Sequence, residues 1–459
     1  MKILKFNAVA MNGYQDITIP FSENEDNLSF ITGINGSGKT SCLNSIIALL
    51  MPRLERLSEQ DFQKITLKFE HEKIVKELTA EKEDEEITLK LSDEEQSLSV
   101  DQDLRRHYSH EERHEHEYIH YSRIYRDNRV WQYICNLPTP MYLNLDRKIA
   151  SVDEERRHIT RDRDPRRRQN ILSNGGSLQG RLHEAIRLTE REYQKNLTEK
   201  IAFNEEFQKK IMLDLIDFNP IKFKDILRTP DSDEIQNLTT SKENLRDLPR
   251  LLNMTKEEQK GIDNKFNKFF EFMDNNVNRF LKPKSDTQSN KQEENSDKKS
   301  AELEWSFNKS HIDKISNLSK KISAHNEKIV KQEEGIEKFL NSINSFFIES
   351  GKRVAFNKRG HLEFVLDHDT SEKDRPLKAL SSGEIQIFVI LAYLHFNPEA
   401  KKAGIFVIDE PELSLHVQWQ EKFVAEIVRA APDLQYILAT HAPSIILGRT
   451  DLCIDISRK

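Results

Sequence analysis

The run Gly33-Ile34-Asn35-Gly36-Ser37-Gly38-Lys39-Thr40-Ser41 follows the spacing G-x-x-x-x-G-K-[ST], in which each residue type answers to a phosphate. Glycines let the backbone N–H groups of Asn35, Gly36, Ser37 and Gly38 turn inward around phosphate oxygens, and Ser41 extends the loop into a helix start. Lys39 supplies an ammonium for the β- and γ-phosphates, and Thr40 a hydroxyl for Mg²⁺. A nucleoside triphosphate with Mg²⁺ is therefore the expected ligand. Three later segments add groups suited to the same chemistry. Asp409-Glu410-Pro411-Glu412 offers carboxylates for a metal ion and an attacking water, His441 offers an imidazole, and Leu380-Ser381-Ser382-Gly383-Glu384 offers hydroxyls and N–H groups at a second helix start.

Regular elements must carry these residues to one place, and the flanking sequence supplies them. Leu28 to Ile31 reads as a strand and Cys42 to Leu50 as a helix, which puts the glycine loop between them. Gly404 to Ile408 and Tyr436 to Thr440 are continuous apolar runs, the pattern of strands buried on both faces, so Asp409 and His441 fall at strand C-terminal ends, where ligands bind. Ile385 to Leu394 is a strongly apolar helix opened by the serines. Each segment alone is common loop chemistry; their order along one chain is the signal.

In that order the residues resemble the ABC-type ATPases, the class that includes SMC, RecF and OLD proteins and transporter cassettes. The resemblance implies an α/β fold: an ATPase head with a P-loop mixed sheet and an antiparallel β subdomain, interrupted by an inserted helical or coiled-coil arm. It places Lys39 and Thr40 in Walker A, Asp409 (metal) and Glu410 (catalytic) in Walker B, Ser381, Ser382 and Gly383 in a signature loop that binds nucleotide, and His441 at the catalytic switch position. The loop reads LSSGE where a transporter cassette has LSGGQ, which favours the SMC-like and OLD-like branches. No spacing fixes a Q-loop glutamine, though Gln132 lies in a suitable region. Asp409 to Gln420 and Ala439 to Ile446 are further similar to the ATPases of bacterial anti-phage systems, nearest the PtuA family of Septu systems, with the AriA family of PARIS systems second. That likeness implies a homodimer of heads or a higher homo-oligomer, and a separate effector nuclease of HNH or Toprim type. The alternative is a RecF/SMC-like repair or recombination ATPase acting directly on DNA.

Composition limits the remaining classes. Seventy Lys and Arg against 77 Asp and Glu give a net charge of −7, so no global positive field advertises nucleic acid, which could enter only through a local patch or the complex. Three cysteines support neither a disulfide framework nor a zinc cluster and suit a reducing compartment. With no apolar signal core after Met1 and no membrane-length apolar run, a cytoplasmic location is expected.

The chemistry is split between the two ends, so a long insertion is expected: residues 1–176 and 351–459 form the head, and 177–350 the arm. Ile65 to Phe69, Lys73 to Val75 and Glu86 to Leu89 alternate as an antiparallel sheet does, and Val354–Phe356 with Leu362–Leu366 reads as a hairpin. Ile315, Ile322, Ile329, Ile336 and Ile343 recur every seven residues, with Leu318, Phe339 and Phe346 at d positions and His325 and Gln332 interrupting the seam. The expected partner is an earlier antiparallel helix bearing Leu182, Ile186, Tyr193, Leu197, Phe207 and Ile211. Residues about 283–300 contain almost no apolar side chain and read as a flexible loop. The arginines between Arg156 and Arg168 are matched by acids and read as a solvated linker, and the histidines between His107 and His120 as a polar segment without a metal. Only a short tail follows His441, and Pro230-Asp231 begins no nuclease pattern with a usable lysine, so no nuclease activity is expected from this chain alone.

Overall fold

The computed structural model describes all residues except 22–26, 52–53, 84–85, 102–120, 122–123, 144–148, 151–177, 217–231, 282–290, 368–374 and 458–459. The His-rich segment, the Arg-rich segment and Pro230-Asp231 therefore lie outside the described residues. The chain divides into two compact units: residues 1–192 with 336–459, and residues 193–335.

The first unit holds three sheets. Strands β1 (Lys2–Met11), β2 (Gln15–Pro20), β4 (Lys64–His71), β5 (Ile74–Glu83), β6 (Glu86–Leu91) and β7 (Leu98–Asp101) form an antiparallel sheet in the order β2-β1-β4-β5-β6-β7. Its strands alternate buried and exposed residues, as a sheet with one covered face must. The second sheet takes β3 (Leu28–Thr32), β8 (Met141–Leu143), β9 (Ile149–Ala150), β13 (Ile405–Asp409), β14 (Gln435–Ala439) and β15 (Cys453–Asp455) in the order β15-β3-β14-β13-β8-β9. From β15 to β8 every neighbour is parallel. A third, small sheet contains β10 (Lys352–Phe356), β11 (Leu362–Leu366) and β12 (Arg375–Pro376), with the hairpin in the expected place.

The parallel strands explain their own apolar runs. Ile31, Ile405, Val407, Ile437 and Ala439 belong to a core shared with the antiparallel sheet and the helix Lys39–Leu50. Their neighbours Phe30, Phe406, Ile408, Tyr436 and Leu438 belong to a second core with the helices Ser382–Phe396 and Val417–Ala430. Successive side chains point to opposite faces, and both faces are covered, so charged residues gather where the strands end.

The second unit is helical, and here three expectations need correction. The expected boundaries at 177 and 350 fall too far out: Leu182, Ala185, Phe339, Ile343 and Phe346 are buried in the head's second core, so the bases of the helices Leu178–Ile216 and Lys291–Phe347 belong to the first unit. The stretch 291–300, expected as loop, is helical. Lys298 and Lys299 are exposed there without being helix breakers, and Arg279 from the helix Lys256–Leu281 grips Asp297 (2.7 Å) and Glu304 (2.8 Å). Finally, Leu197 is 42% exposed and does not face the seam. Asn196 does: its side chain donates to the Gln332 carbonyl (3.2 Å), and Gln332 Nε2 donates back to the Asn196 carbonyl (3.1 Å). His325 Nε2 lies 2.8 Å from Asn204 Oδ1 and stacks on Phe207 at 4.5 Å. Beyond this antiparallel pair Phe207, Leu238, Leu248, Phe270, Trp305 and Ile322 make a separate core from five helices, so the unit is a coiled pair that widens into a bundle.

Candidate active site

The glycine loop sits where β3 hands over to the helix Lys39–Leu50. A side chain at Gly33 (φ +157°) would bring Cβ within 2.5 Å of Ser37 Oγ, and Gly38 (φ +90°) occupies the left-handed region while pressed against Ile17 and Asn12. Above Gly36 there is open space. Lys39 is buried, and its ammonium folds back to donate to the carbonyls of Gly33 (2.9 Å) and Ile34 (3.3 Å). Ser41 Oγ donates to Asn12 Oδ1 at 3.1 Å, tying the helix start to the turn after β1. Ser37 Oγ is buried and unpartnered.

β14 lies between β3 and β13 in parallel register, with Ala439 opposite Ile31 on one side and Asp409 on the other, so the C-terminal ends of β13 and β14 are on the same sheet end as the loop after β3. Asp409 is 2% exposed, and both carboxylate oxygens lack a hydrogen-bond partner of good geometry. Burial pushes its pKa up to about 6; Glu410 and Glu412 push the same way, against the Thr40 hydroxyl and the Lys39 ammonium. Orphaned buried oxygens facing a hydroxyl fit a divalent cation, and the parked ammonium and open glycine cradle fit a polyphosphate. Glu410 adopts a left-handed backbone (φ +45°), held by its N–H donating to the Ala439 carbonyl at 2.9 Å. His441 follows the fully buried Thr440 just beyond β14. Thus Asn35 to Ser41, Asp409, Glu410 and His441 follow the C-terminal ends of neighbouring strands β3, β13 and β14.

Ser381, Ser382 and Gly383 do not join them within the chain. Among the described residues no hydrogen bond or ion pair links this loop to the glycine loop, and Ser381 and Ser382 are exposed. Ser381 caps the helix Ser382–Phe396 in a capping box: its Oγ accepts from Glu384 N–H (3.4 Å), and its N–H donates to Glu384 Oε2 (2.7 Å). Ser382 and Gly383 follow at the exposed first turn of this helix, whose N–H groups suit an anion.

A family model described as the AAA ATPase domain matches residues 1–446. The chain belongs to the AAA ATPase domain family. Among curated proteins this AAA ATPase is similar to the retron Vc95 probable ATPase of Vibrio cholerae serotype O1 biovar El Tor, 28% identical over 155 residues that cover 31% of this chain and 29% of that protein. It is also similar to the retron Ec83 probable ATPase of Escherichia coli, 27% identical over 97 residues, covering 19% of this chain and 18% of that one. The matches span less than a third of either relative. Among solved structures, the Smc head domain with a coiled coil and joint from Pyrococcus yayanosii matches with a TM-score of 0.36 and 14% identity, over 99% of this chain and 94% of that one. At that score the likeness adds nothing to the strand order described above.

Sequence reasoning gave no individual role to several residues that brace these segments. Glu412 accepts from Thr440 Oγ1 at 2.9 Å through both oxygens and from His441 N–H at 3.3 Å. Gln420 donates to the carbonyls of Glu412 (3.2 Å) and Leu415 (2.9 Å) and accepts from Ser444 Oγ (2.5 Å), joining the turn after β13 to the helix after His441. Lys352 grips Glu384 at 2.8 and 2.9 Å. Burial alone would raise the Glu384 pKa; Lys352 and the Ser381 donor groups outweigh it and hold the carboxyl below its usual range. The second glutamate of Asp409-Glu410-Pro411-Glu412 was the available signal, but its partners lie 28 residues away in sequence. Gln132 donates to the Arg126 carbonyl (2.8 Å) on the exposed side of the helix Arg129–Asn136. Among the described residues no other cluster suits a metal ion, and no helix is long and apolar enough to cross a membrane.

Proposed function

We propose that this AAA ATPase works as pairs of heads, each glycine loop completed by Ser381 to Gly383 of a second copy, and that this pairing controls a separate effector nuclease in anti-phage defence. The observation that carries the composite site is the separation of an exposed helix start at Ser381 to Gly383 from the chain's own nucleotide cradle, with no hydrogen bond or ion pair between them among the described residues. Lys39 and the loop N–H groups hold the β- and γ-phosphates, Thr40 and Asp409 hold Mg²⁺, Glu410 orients the attacking water, and His441 contacts the γ-phosphate oxygens. When bound, Mg²⁺ offsets the charge that develops on the phosphates. The buried, unpartnered Asp409 supports this assignment, because a cation supplies what its surroundings do not.

Local similarity to two retron ATPases supports the defence reading. On this reading the effector chemistry is supplied in trans, by an HNH nuclease if the partner is Septu-like or a Toprim nuclease if PARIS-like, and the ATPase chain cleaves no nucleic acid itself. The test is to purify the chain alone and with the product of its neighbouring gene, then measure ATP hydrolysis against protein concentration and cleavage of DNA and RNA with Mg²⁺. Hydrolysis per chain should rise steeply with concentration, and cleavage should need the neighbour. Full hydrolysis by a monomer at high dilution refutes the paired site; metal-dependent cleavage by the chain alone refutes the division of labour.

A further inference from the structure

We propose that Glu412 is the positioning residue for His441, a role that the water-orienting Glu410 does not share. This inference rests on the reading that His441 meets the γ-phosphate. Glu412 Oε1 lies 3.3 Å from His441 Nδ1 and accepts the His441 main-chain N–H at 3.3 Å, so one carboxylate oxygen faces both the backbone and the ring of the same residue. The other oxygen, with the first, accepts the Thr440 hydroxyl at 2.9 Å. Thr440 is fully buried and its Oγ1 also accepts from Ala442 N–H at 3.0 Å, so the hydroxyl orients the carboxylate from a fixed point.

The consequence follows from imidazole geometry. A carboxylate on Nδ1 fixes the ring plane and keeps the proton on that nitrogen, and Nε2 then projects from the opposite edge of the ring. The His441 side chain is 48% exposed while that of Glu412 is 9% exposed, so the anchored edge is the inner one and Nε2 faces the open crevice. Two observations separate this from mere structural satisfaction. A carboxyl group this buried normally carries a Lys or Arg partner, and among the described residues the only ion pair at Glu412 is the one with His441. A neutral amide would satisfy Thr440 equally well; only the ring gains from a full negative charge. Gln420, by gripping the Glu412 carbonyl, sets the turn that carries the side chain.

The test compares Glu412→Gln, His441→Ala and the double variant in the full chain, with Thr440→Val as a milder perturbation. ATP hydrolysis, binding of a fluorescent ATP analogue and thermal midpoints are measured for each. Glu412→Gln should lower kcat about tenfold with KM changed less than about twofold, Thr440→Val should lower kcat by less, and the double variant should be no slower than His441→Ala. Losses that multiply in the double variant, an effect confined to KM, or an unchanged kcat in Glu412→Gln would overturn the proposal. Unchanged hydrolysis in His441→Ala would instead refute the role given to His441 and the proposal with it. If Glu412→Gln does not fold, Thr440→Val in the wild-type and His441→Ala backgrounds makes the same comparison.

Discussion

The two compact units handle polar residues in opposite ways. In the head, residues 1–192 with 336–459, the parallel strands are apolar on both faces and polar groups gather at strand ends, where Asp409 is left buried and unsatisfied. In the helical unit, residues 193–335, Asn196, Asn204, His325 and Gln332 sit inside the seam and find partners across it. Unsatisfied Asp409 at the glycine loop is a demand for a ligand; in the arm, where Gln332 Oε1 is also left without a partner, the cross-helix bonds of Asn196 and Gln332 fix which residues lie opposite each other.

The largest effects expected from this contrast are in the head. Lys39→Ala removes the one ammonium held at the glycine loop and should weaken ATP binding by about 100-fold or more, the scale of a lost charge-assisted contact, as titration calorimetry would read. Glu410→Gln should keep binding but stall turnover, so that ATP holds the protein in its paired form during size-exclusion chromatography; ATP-dependent dissociation would count against the paired site. Phe388→Ala, at a fully buried position of the helix Ser382–Phe396, should cost about 3–5 kcal/mol in denaturant unfolding.

A pH effect of intermediate size should come from His395. It lies near the end of the same helix, its Nε2 is buried without a partner, and its ring meets Phe339 at 5.7 Å. Burial, with smaller contributions from Lys401 and Lys338, lowers its pKa from 6.5 to about 4. The unfolded chain therefore binds more protons between those values, so this contribution to stability is present above pH 6.5 and lost as pH falls toward 4, by up to about 3 kcal/mol. His395→Leu should flatten that part of the stability profile; an unchanged slope would assign it to other groups.

The smallest effect should come from the arm. Replacing Gln332 and His325 by Leu should leave unfolding within about 1 kcal/mol of wild type, because the Asn196 and Asn204 groups left behind are only part-buried and can turn to water. The register, however, should loosen. A crosslink between cysteines placed at Lys200 and Glu333, which pair at 2.6 Å, would form less completely in that background. Equal crosslinking would mean that the polar layer does not set the pairing.

Legibility divides along the same line. The glycine loop, Asp409 and His441 were readable because strand alternation and a strand end are local properties of a few adjacent residues. Glu412 was not, since its meaning lies in Thr440 and His441, which another strand delivers. In the arm the heptad isoleucines were readable, but Leu197 outranked Asn196 on hydrophobicity alone. A one-residue error followed, because the cross-helix bond between Asn196 and Gln332 has no signature in either segment. The helix at 291–300 was missed because solvation was equated with absence of structure, whereas Glu and Lys favour a solvated helix.

The position of β3 in its sheet has a consequence for biosynthesis. Its neighbours on either side are β14 and β15, and the loop after it is further braced by Ile34 N–H donating to Ser457 Oγ, a contact across 423 residues of sequence. On a ribosome adding about 5–20 residues per second, the apolar strand Leu28–Thr32 waits tens of seconds for its partners. During that interval the antiparallel sheet from β4 to β7 can assemble by local pairing, while the nucleotide cradle cannot. A nascent chain therefore stays unable to bind nucleotide until β14 and β15 have been made, and chains stalled or cleaved before β14 should be found with chaperones.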